Sequence, residues 1–172
     1  MADTHTSAPA NPFNWHSFIA LAMIYIVFAI MLNSVGTVIA QSIKFYSVTK
    51  SEASILEGFK DLPIAIISFF AASSLPYFGF KRAIGVGLGL IFLGNIAMLT
   101  IDSFWAPKLL YLTTGLGFGL AKVAVYASVG LLAADRSKHS SLMNLLEGLF
   151  MVGVLSGYWV FAGFIDETDH TS

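Results

Sequence analysis

Two ionisable residues of opposite charge lie inside long apolar stretches of the sequence. Lys122 lies near the middle of the stretch 108–133. Glu147 lies in the first third of the stretch 141–165. A charge at the centre of a membrane helix costs about 2.5–3.5 kcal/mol on insertion scales. We therefore expect both side chains to face a polar interior, with Lys122 paired to a carboxylate, either Glu147 or Asp61.

Three further charged residues, Glu57, Lys60 and Asp61, are spaced i, i+3 and i+4 in a predicted helix. This spacing places them on one face of that helix. One interpretation is an amphipathic surface at the water interface, on which Lys60 neutralises the two carboxylates. The other is a cavity wall on which Asp61 or Glu57 binds a proton or a solute.

Two asparagines lie in apolar stretches as well. Asn33 belongs to the first stretch, and Asn144 precedes Glu147 by three residues on the same predicted helical face. An asparagine in a membrane helix can bind a polar solute, or it can serve only as a hydrogen bond between helices. The candidate solute-binding residues are therefore Asn33, Asp61, Lys122, Asn144 and Glu147. The candidate proton-coupling residues are Glu147, Asp61 and Glu57.

The composition indicates that much of the chain lies in a lipid bilayer. Of its 172 residues, 56% are hydrophobic and 11% are charged, whereas a soluble domain has about 25% charged residues. The stretches long enough to cross a bilayer as helices are 18–40, 51–77, 83–101, 108–133 and 141–165. We therefore predict an all-α, polytopic membrane protein with a five-helix bundle over 17–165.

Polar segments separate and flank the predicted helices. They are a flexible N-terminal tail over 1–16, a loop over 41–50, a turn over 135–140 and a C-terminal tail over 166–172. Thr49 and Glu52 fit the capping-box pattern, which predicts that the second helix begins there. Val38-Ile39-Ala40 resembles a signal-peptidase site. We expect no cleavage, because the preceding tail has no basic residue and the apolar stretch is longer than the hydrophobic region of an ordinary signal peptide.

Three glycine pairs have the spacing GxxxG: Gly85 and Gly89, Gly115 and Gly119, and Gly153 and Gly157. The first two pairs also resemble part of a nucleotide-binding glycine fingerprint. That fingerprint needs a preceding strand and a soluble helix, and the surrounding apolar sequence offers neither. We predict instead that the glycine pairs mark places where membrane helices pack closely.

Several classes of function are disfavoured by the residue content. A net charge of −1 argues against nucleic-acid binding. The chain has no cysteine, and its four histidines lie in predicted tails and turns without the spacing of a metal site. No histidine lies within an apolar stretch where it could activate a nucleophile. We therefore expect neither an enzyme nor a bound metal or cofactor.

The segment between the second and third predicted helices resembles a loop of major facilitator superfamily transporters. The residues that match this loop are Phe78, Gly79, Lys81 and Arg82. Pro76 stands where the family has an aspartate. The order Phe-Gly-Phe-Lys-Arg is similar to the turn of the fucose-permease-like sugar transporters, and the segments 115–120 and 142–157 resemble helices 4 and 5 of that group.

The resemblance implies an architecture and a function. The amino-terminal half of the family has six helices, of which helices 1, 2, 4 and 5 line a central cavity and helix 3 lies outside. Phe78, Gly79, Lys81 and Arg82 would form a gating loop, altered here by Pro76. The implied function is secondary transport of a small polar solute, sugar-like or an organic anion. With Glu147 as an intramembrane carboxylate, we expect this transport to be coupled to protons.

A transporter of this family would need more helices than the five predicted here. We expect them from a second chain, a homo-oligomer or a longer protein. The alternative is a non-transporting membrane scaffold or subunit, or an inactive transporter fragment. We expect a multi-pass protein of the plasma membrane, the inner membrane in a bacterium, with the bilayer and the solute as partners. The Lys and Arg residues of the predicted loops favour a cytoplasmic N-terminus and an external C-terminus.

Overall fold

The computed structural model describes residues 14–133 and 135–169, which form α-helices and no β-strand. The helices are α1 (Trp15–Asn33), α2 (Val35–Tyr46), α3 (Lys50–Phe78), α4 (Phe80–Thr100), α5 (Trp105–Leu132) and α6 (Arg136–Asp169). The predicted all-α class is confirmed.

Among the described residues, four helical segments are long and apolar enough to cross a membrane. They are Trp15–Tyr46, which combines α1 and α2, then Phe80–Thr100, Trp105–Leu132 and Arg136–Phe161. Their length and composition indicate a membrane-associated protein. α3 forms where the second span was predicted, but it is not among the four. Its first half carries charged residues and its length includes two prolines, so a fifth span stays a prediction.

The first helical segment extends farther than predicted. α2 continues to Tyr46, so the predicted loop over 41–50 is wrong for most of its length. The joining residue, Ser34, keeps near-helical dihedral angles of φ −66° and ψ −14°. α2 buries Ser42 and leaves Lys44 exposed. The polar residues that predicted a loop therefore continue an amphipathic helix instead.

The connection between α5 and α6 is shorter than predicted. α6 begins at Arg136, so the predicted turn over 135–140 is wrong for residues 136–140. Asp135 explains this early start, because its Oδ1 accepts a hydrogen bond from the Lys138 backbone N–H at 2.7 Å. A side chain that caps the first turn allows the following polar residues to be helical.

The predicted tails are partly helical. Trp15 and His16 belong to α1, and residues 166–169 continue α6. The prediction of a flexible tail over 1–16 is therefore wrong for its last two residues, and the prediction of a C-terminal tail is wrong for residues 166–169. Residues 1–13 and 170–172 lie outside the described residues.

The capping box at the start of α3 is confirmed. The Glu52 backbone N–H donates to Thr49 Oγ1 at 3.2 Å, and the Thr49 backbone N–H donates to Glu52 Oε2 at 2.8 Å. The Thr49 hydroxyl donates to the same carboxylate oxygen at 2.8 Å. The Glu52 carboxylate thus accepts two hydrogen bonds from Thr49. Both hold the pKa of the Glu52 carboxyl below its ordinary value, and the bond from the Thr49 backbone N–H has the larger effect.

Acidification should loosen the first turn of α3. Because the pKa of Glu52 is lower in the folded helix, its contribution to stability is present above the ordinary pKa of 4.5. It is lost as pH falls through the folded value. We expect hydrogen-exchange protection factors of the Ala53 amide to fall below about pH 4.5, and Thr49→Ala to weaken the turn by about 1 kcal/mol at neutral pH. Protection that is independent of both changes would contradict this prediction.

Glycines bring α4 and α5 into backbone contact. A Cβ added to Gly87 would lie 2.7 Å from the Gly117 carbonyl oxygen. A Cβ at Gly85 or Gly89 would meet no atom within 4 Å. The predicted contact at the pair Gly85 and Gly89 is therefore wrong, and the glycine between them makes the contact instead.

The other two glycine pairs pack as predicted. A Cβ at Gly115 would overlap the Lys60 carbonyl oxygen of α3, and Gly119 faces Ile67 one turn farther along. Gly153 of α6 lies against α1, where an added Cβ would be 2.8 Å from Ala29 Cβ. Close helix–helix contact through small residues is confirmed at these pairs.

The helices form two groups. α5 packs most extensively against α3 and α4, and α1 packs most extensively against α6. Smaller contacts of α5 with α1 and α6 join the α1–α6 group to the α3–α4–α5 group. α1 and α6 run parallel, because Ile26 and Ala29 face Gly153 while Ile30 and Asn33 face Gly157. The candidate site lies where the two groups meet.

Candidate functional site

Side chains from three helices meet in a hydrogen-bonded triangle, formed by Tyr25 of α1, Tyr126 of α5 and Glu147 of α6. The Tyr25 hydroxyl lies 3.0 Å from the Tyr126 hydroxyl and donates to Glu147 Oε1 at 3.3 Å. The Tyr126 hydroxyl donates to the same carboxylate oxygen. The triangle therefore places a carboxylate and two phenols inside the candidate membrane spans.

Aromatic packing fixes the position of the triangle. Tyr25 is 1% exposed, and its ring centroid lies 4.7 Å from that of Phe150 and 5.8 Å from that of Phe118. Phe118 and Phe150 also stack on each other at 5.8 Å. These rings come from α1, α5 and α6, so they hold the three helices that carry the triangle in one arrangement.

The triangle can accommodate one more proton. While Glu147 is ionised, two hydroxyl hydrogens serve three oxygen–oxygen contacts. A proton on the carboxyl group would supply a third hydrogen, so that each group could donate once and accept once. The contacts are therefore compatible with both protonation states of Glu147, as a reversible proton-binding group requires.

Lys122 lies beside the triangle and forms no ion pair with the described residues. Its Nζ lies 5.6 Å from the ring centroid of Tyr126 and 6.0 Å from that of Phe118. Among the described side chains, no carboxylate oxygen lies within 4.0 Å of this ammonium. The predicted ion pair of Lys122 with Glu147 or Asp61 is therefore wrong. Tyr126 contacts both charges instead, with its ring near Lys122 and its hydroxyl on Glu147.

The charged face of α3 lies apart from the triangle. Lys60 Nζ lies 3.4 Å from Asp61 Oδ1, and the Asp61 side chain is 66% exposed. Glu57 is exposed as well. This arrangement matches the amphipathic-surface interpretation, in which neighbouring charges neutralise each other. It does not bring Asp61 or Glu57 to the carboxylate of α6.

The two candidate asparagines have different surroundings. Asn33 Nδ2 donates to the Val154 carbonyl oxygen at 2.8 Å, so this side chain joins α1 to α6. Asn144 is exposed on α6, three residues before Glu147. Asn33 thus acts as a hydrogen bond between helices, the simpler of its two predicted roles, whereas Asn144 is free of such a role among the described contacts.

The segment predicted as a gating loop is reduced to one residue. Phe78 ends α3 and Phe80 begins α4, so Gly79 alone connects the two helices. Its φ of +89° is a backbone conformation that other residues rarely adopt, which explains the glycine. Lys81 and Arg82 are exposed in the first turn of α4.

A cavity of about 370 Å³ lies away from the triangle, between α1, α4 and α5. Its lining is apolar apart from Lys81 and two serine hydroxyls, and its residues are Ser17, Ala20, Leu21, Phe80, Lys81, Ile84, Ser128, Leu131 and Leu132. Lys122, together with Tyr25, Tyr126 and Glu147 of the triangle, forms the charged cluster. Within it Lys122, Tyr126 and Glu147 are each half-buried, so the cluster is partly exposed.

Tyr25 was not among the residues predicted from the sequence. This residue lies more than a hundred positions from its partners, so no spacing rule connects it with them. A tyrosine inside the apolar stretch 18–40 was the available signal, because a buried phenol needs a hydrogen-bond partner. Among the side chains that the structure describes, no three His, Asp or Glu residues are grouped as ligands for a metal ion. Comparison of the chain with models of known families, with curated proteins and with solved structures finds no match.

Proposed function

We propose that this protein transports a small polar solute across a membrane and couples that transport to protons. The observation that carries the proposal is the triangle, in which a protonatable carboxylate is held by two hydroxyls inside candidate membrane spans. Ionisable residues within membrane segments are expensive, and they commonly mark proton or substrate pathways. Glu147 would bind the proton, Tyr25 and Tyr126 would position its carboxylate, and Lys122 would contact the solute.

The exposure of the cluster supports transport more than a purely structural role. A structural charge in a membrane bundle is expected to have a direct counter-ion, because burial of an unpaired charge is costly. Lys122 has no such counter-ion among the described residues, and Glu147 is half-buried. Groups that exchange a proton or a solute must instead be reachable from the side where the solute enters.

In this proposal the chain is the amino-terminal part of a major-facilitator-type transporter. Alternating access in that type requires two helical halves around a shared site. Large apolar side chains of α6 are exposed, among them Met151, Leu155 and Trp159, so lipid or further helices must cover them. The protein would lie in the plasma membrane with a cytoplasmic N-terminus.

The test is proton movement in sealed vesicles. The protein, expressed from its complete gene, is reconstituted with a pH-sensitive dye inside, and small polar solutes are added outside under an inward proton gradient. We expect at least one solute to acidify the lumen faster than in protein-free vesicles. A non-transporting scaffold would give no solute-dependent acidification, and that result would overturn the proposal.

A further inference from the structure

The ammonium group of Lys122 forms no direct ion pair with a described carboxylate. It lies near the middle of α5, half-buried, with aromatic rings as its described neighbours. Rings attract a cation through their negative faces, but they carry no net charge. A binding partner with a full negative charge would therefore gain more from this position than a neutral one.

The nearby carboxylate does not fill this role. Glu147 Oε1 accepts from both tyrosine hydroxyls, and its oxygens lie more than 4.0 Å from the Lys122 ammonium. The groups that contact Glu147 are Tyr25 from α1 and Tyr126 from α5, and the Lys122 ammonium lies 5.6 Å from the Tyr126 ring centroid. The cluster thus contains one positive and one negative charge that do not form a direct ion pair, and Tyr126 contacts both.

We propose that the solute is a small monovalent anion, such as a carboxylate, which binds the Lys122 ammonium and crosses together with one proton on Glu147. This inference rests on the proposed function and specifies its substrate class. While Glu147 is ionised, its negative charge opposes the approach of an anion. Protonation at the carboxyl oxygen removes that repulsion, so the proton and the anion favour each other's binding.

Charge balance specifies the mode of transport. The empty cluster, with ionised Glu147 and protonated Lys122, has a net charge of zero. Adding one proton and one monovalent anion leaves the net charge at zero. The loaded and empty forms therefore both move without net charge, and the membrane potential does no work on the cycle. A neutral solute carried with one proton would instead move one positive charge.

The experiment compares anionic and neutral solutes of matched size under controlled potential. The vesicles contain the complete protein, and valinomycin with potassium sets the potential at zero or at about −100 mV inside. The pairs are gluconate with glucose and glycerate with glycerol. We expect only the anions to drive lumen acidification, and we expect their accumulation to be the same at both potentials. For a neutral solute carried with a proton, the second potential would raise accumulation by up to about fifty-fold.

Binding to Lys122 is measured separately from transport. We expect the anions to raise the unfolding temperature of the wild type, to do so in Lys122→Arg, and to lose this effect in Lys122→Gln. Stabilisation that depends on Lys122 without acidification would mean that the proposed coupling is wrong and the anion site is right. Potential-dependent acidification driven by glucose or glycerol would mean that proton-coupled transport is right and that the anion site is wrong. Absence of any Lys122-dependent effect of the anions would overturn the inference.

Discussion

Replacing Glu147 with glutamine should reduce solute-driven proton uptake to the level of protein-free vesicles. The amide has nearly the same size as the carboxyl group, and its oxygen can still accept from Tyr25 and Tyr126. It cannot bind and release a proton at neutral pH. Since the hydrogen-bond partners remain, the free energy of unfolding should change by only about 1 kcal/mol. The loss of proton uptake would therefore reflect proton binding and not the loss of the fold.

The measurement combines dye-based proton uptake with unfolding of the same purified variants. Asp102→Asn is the matched control, because it also replaces one carboxyl group with an amide. Asp102 is exposed and lies in the connection between α4 and α5, away from the triangle. We expect this control to retain uptake. Proton uptake by Glu147→Gln at the wild-type rate would show that another group carries the proton.

Alanine at Gly87 should destabilise the protein, whereas alanine at Gly85 should stabilise it. The new Cβ at Gly87 would lie 2.7 Å from the Gly117 carbonyl oxygen, so the backbones of α4 and α5 must separate. Overpacking of this kind costs about 1–3 kcal/mol. At Gly85 nothing lies within 4 Å of the added atom, and the gain in helix propensity is about 0.5–1 kcal/mol.

Reversible unfolding in mixed detergent micelles measures both variants under the same conditions. The two positions share one helix and the same substitution, so propensity and detergent effects are common to them. Gly89→Ala provides a second open position, since its Cβ also meets no atom within 4 Å. Equal free energies of unfolding for the Gly87 and Gly85 variants would contradict the described packing of α4 on α5.

Local signals predicted parts of the fold well. The capping box of Thr49 and Glu52 depends on residues three apart, so the sequence contains all of its partners. The start of α6 follows from the local cap of Asp135, which was not predicted, whereas the extent of α2 depends on what its polar residues face, which no local pattern specifies. For the same reason the spacing GxxxG identified close contacts at Gly115 but selected the wrong glycines of α4.

The candidate site was predictable in part. A charge within an apolar stretch has few acceptable environments, so Lys122 and Glu147 were recognised from their positions alone. Their relation was not, because opposite charges predict an ion pair and the structure places Tyr126 in contact with both. Asp61 was included for its charge, yet its partner is the adjacent Lys60. Helix composition indicates that a side chain needs a partner but leaves open which one it finds.

The two groups of helices give the triangle a mechanical role. Tyr25 belongs to α1 and Glu147 to α6. These two helices pack closely at Gly153 and are joined by the hydrogen bond of Asn33. Tyr126 belongs to α5, in the other group. If α1 and α6 swing as one rigid body, the Tyr25–Glu147 bond travels with them, and both bonds to Tyr126 break together. The hydroxyl of Tyr126 is therefore one of the contacts between the two groups that such a motion would break, and it donates to the same Glu147 oxygen that accepts the hydrogen bond from Tyr25.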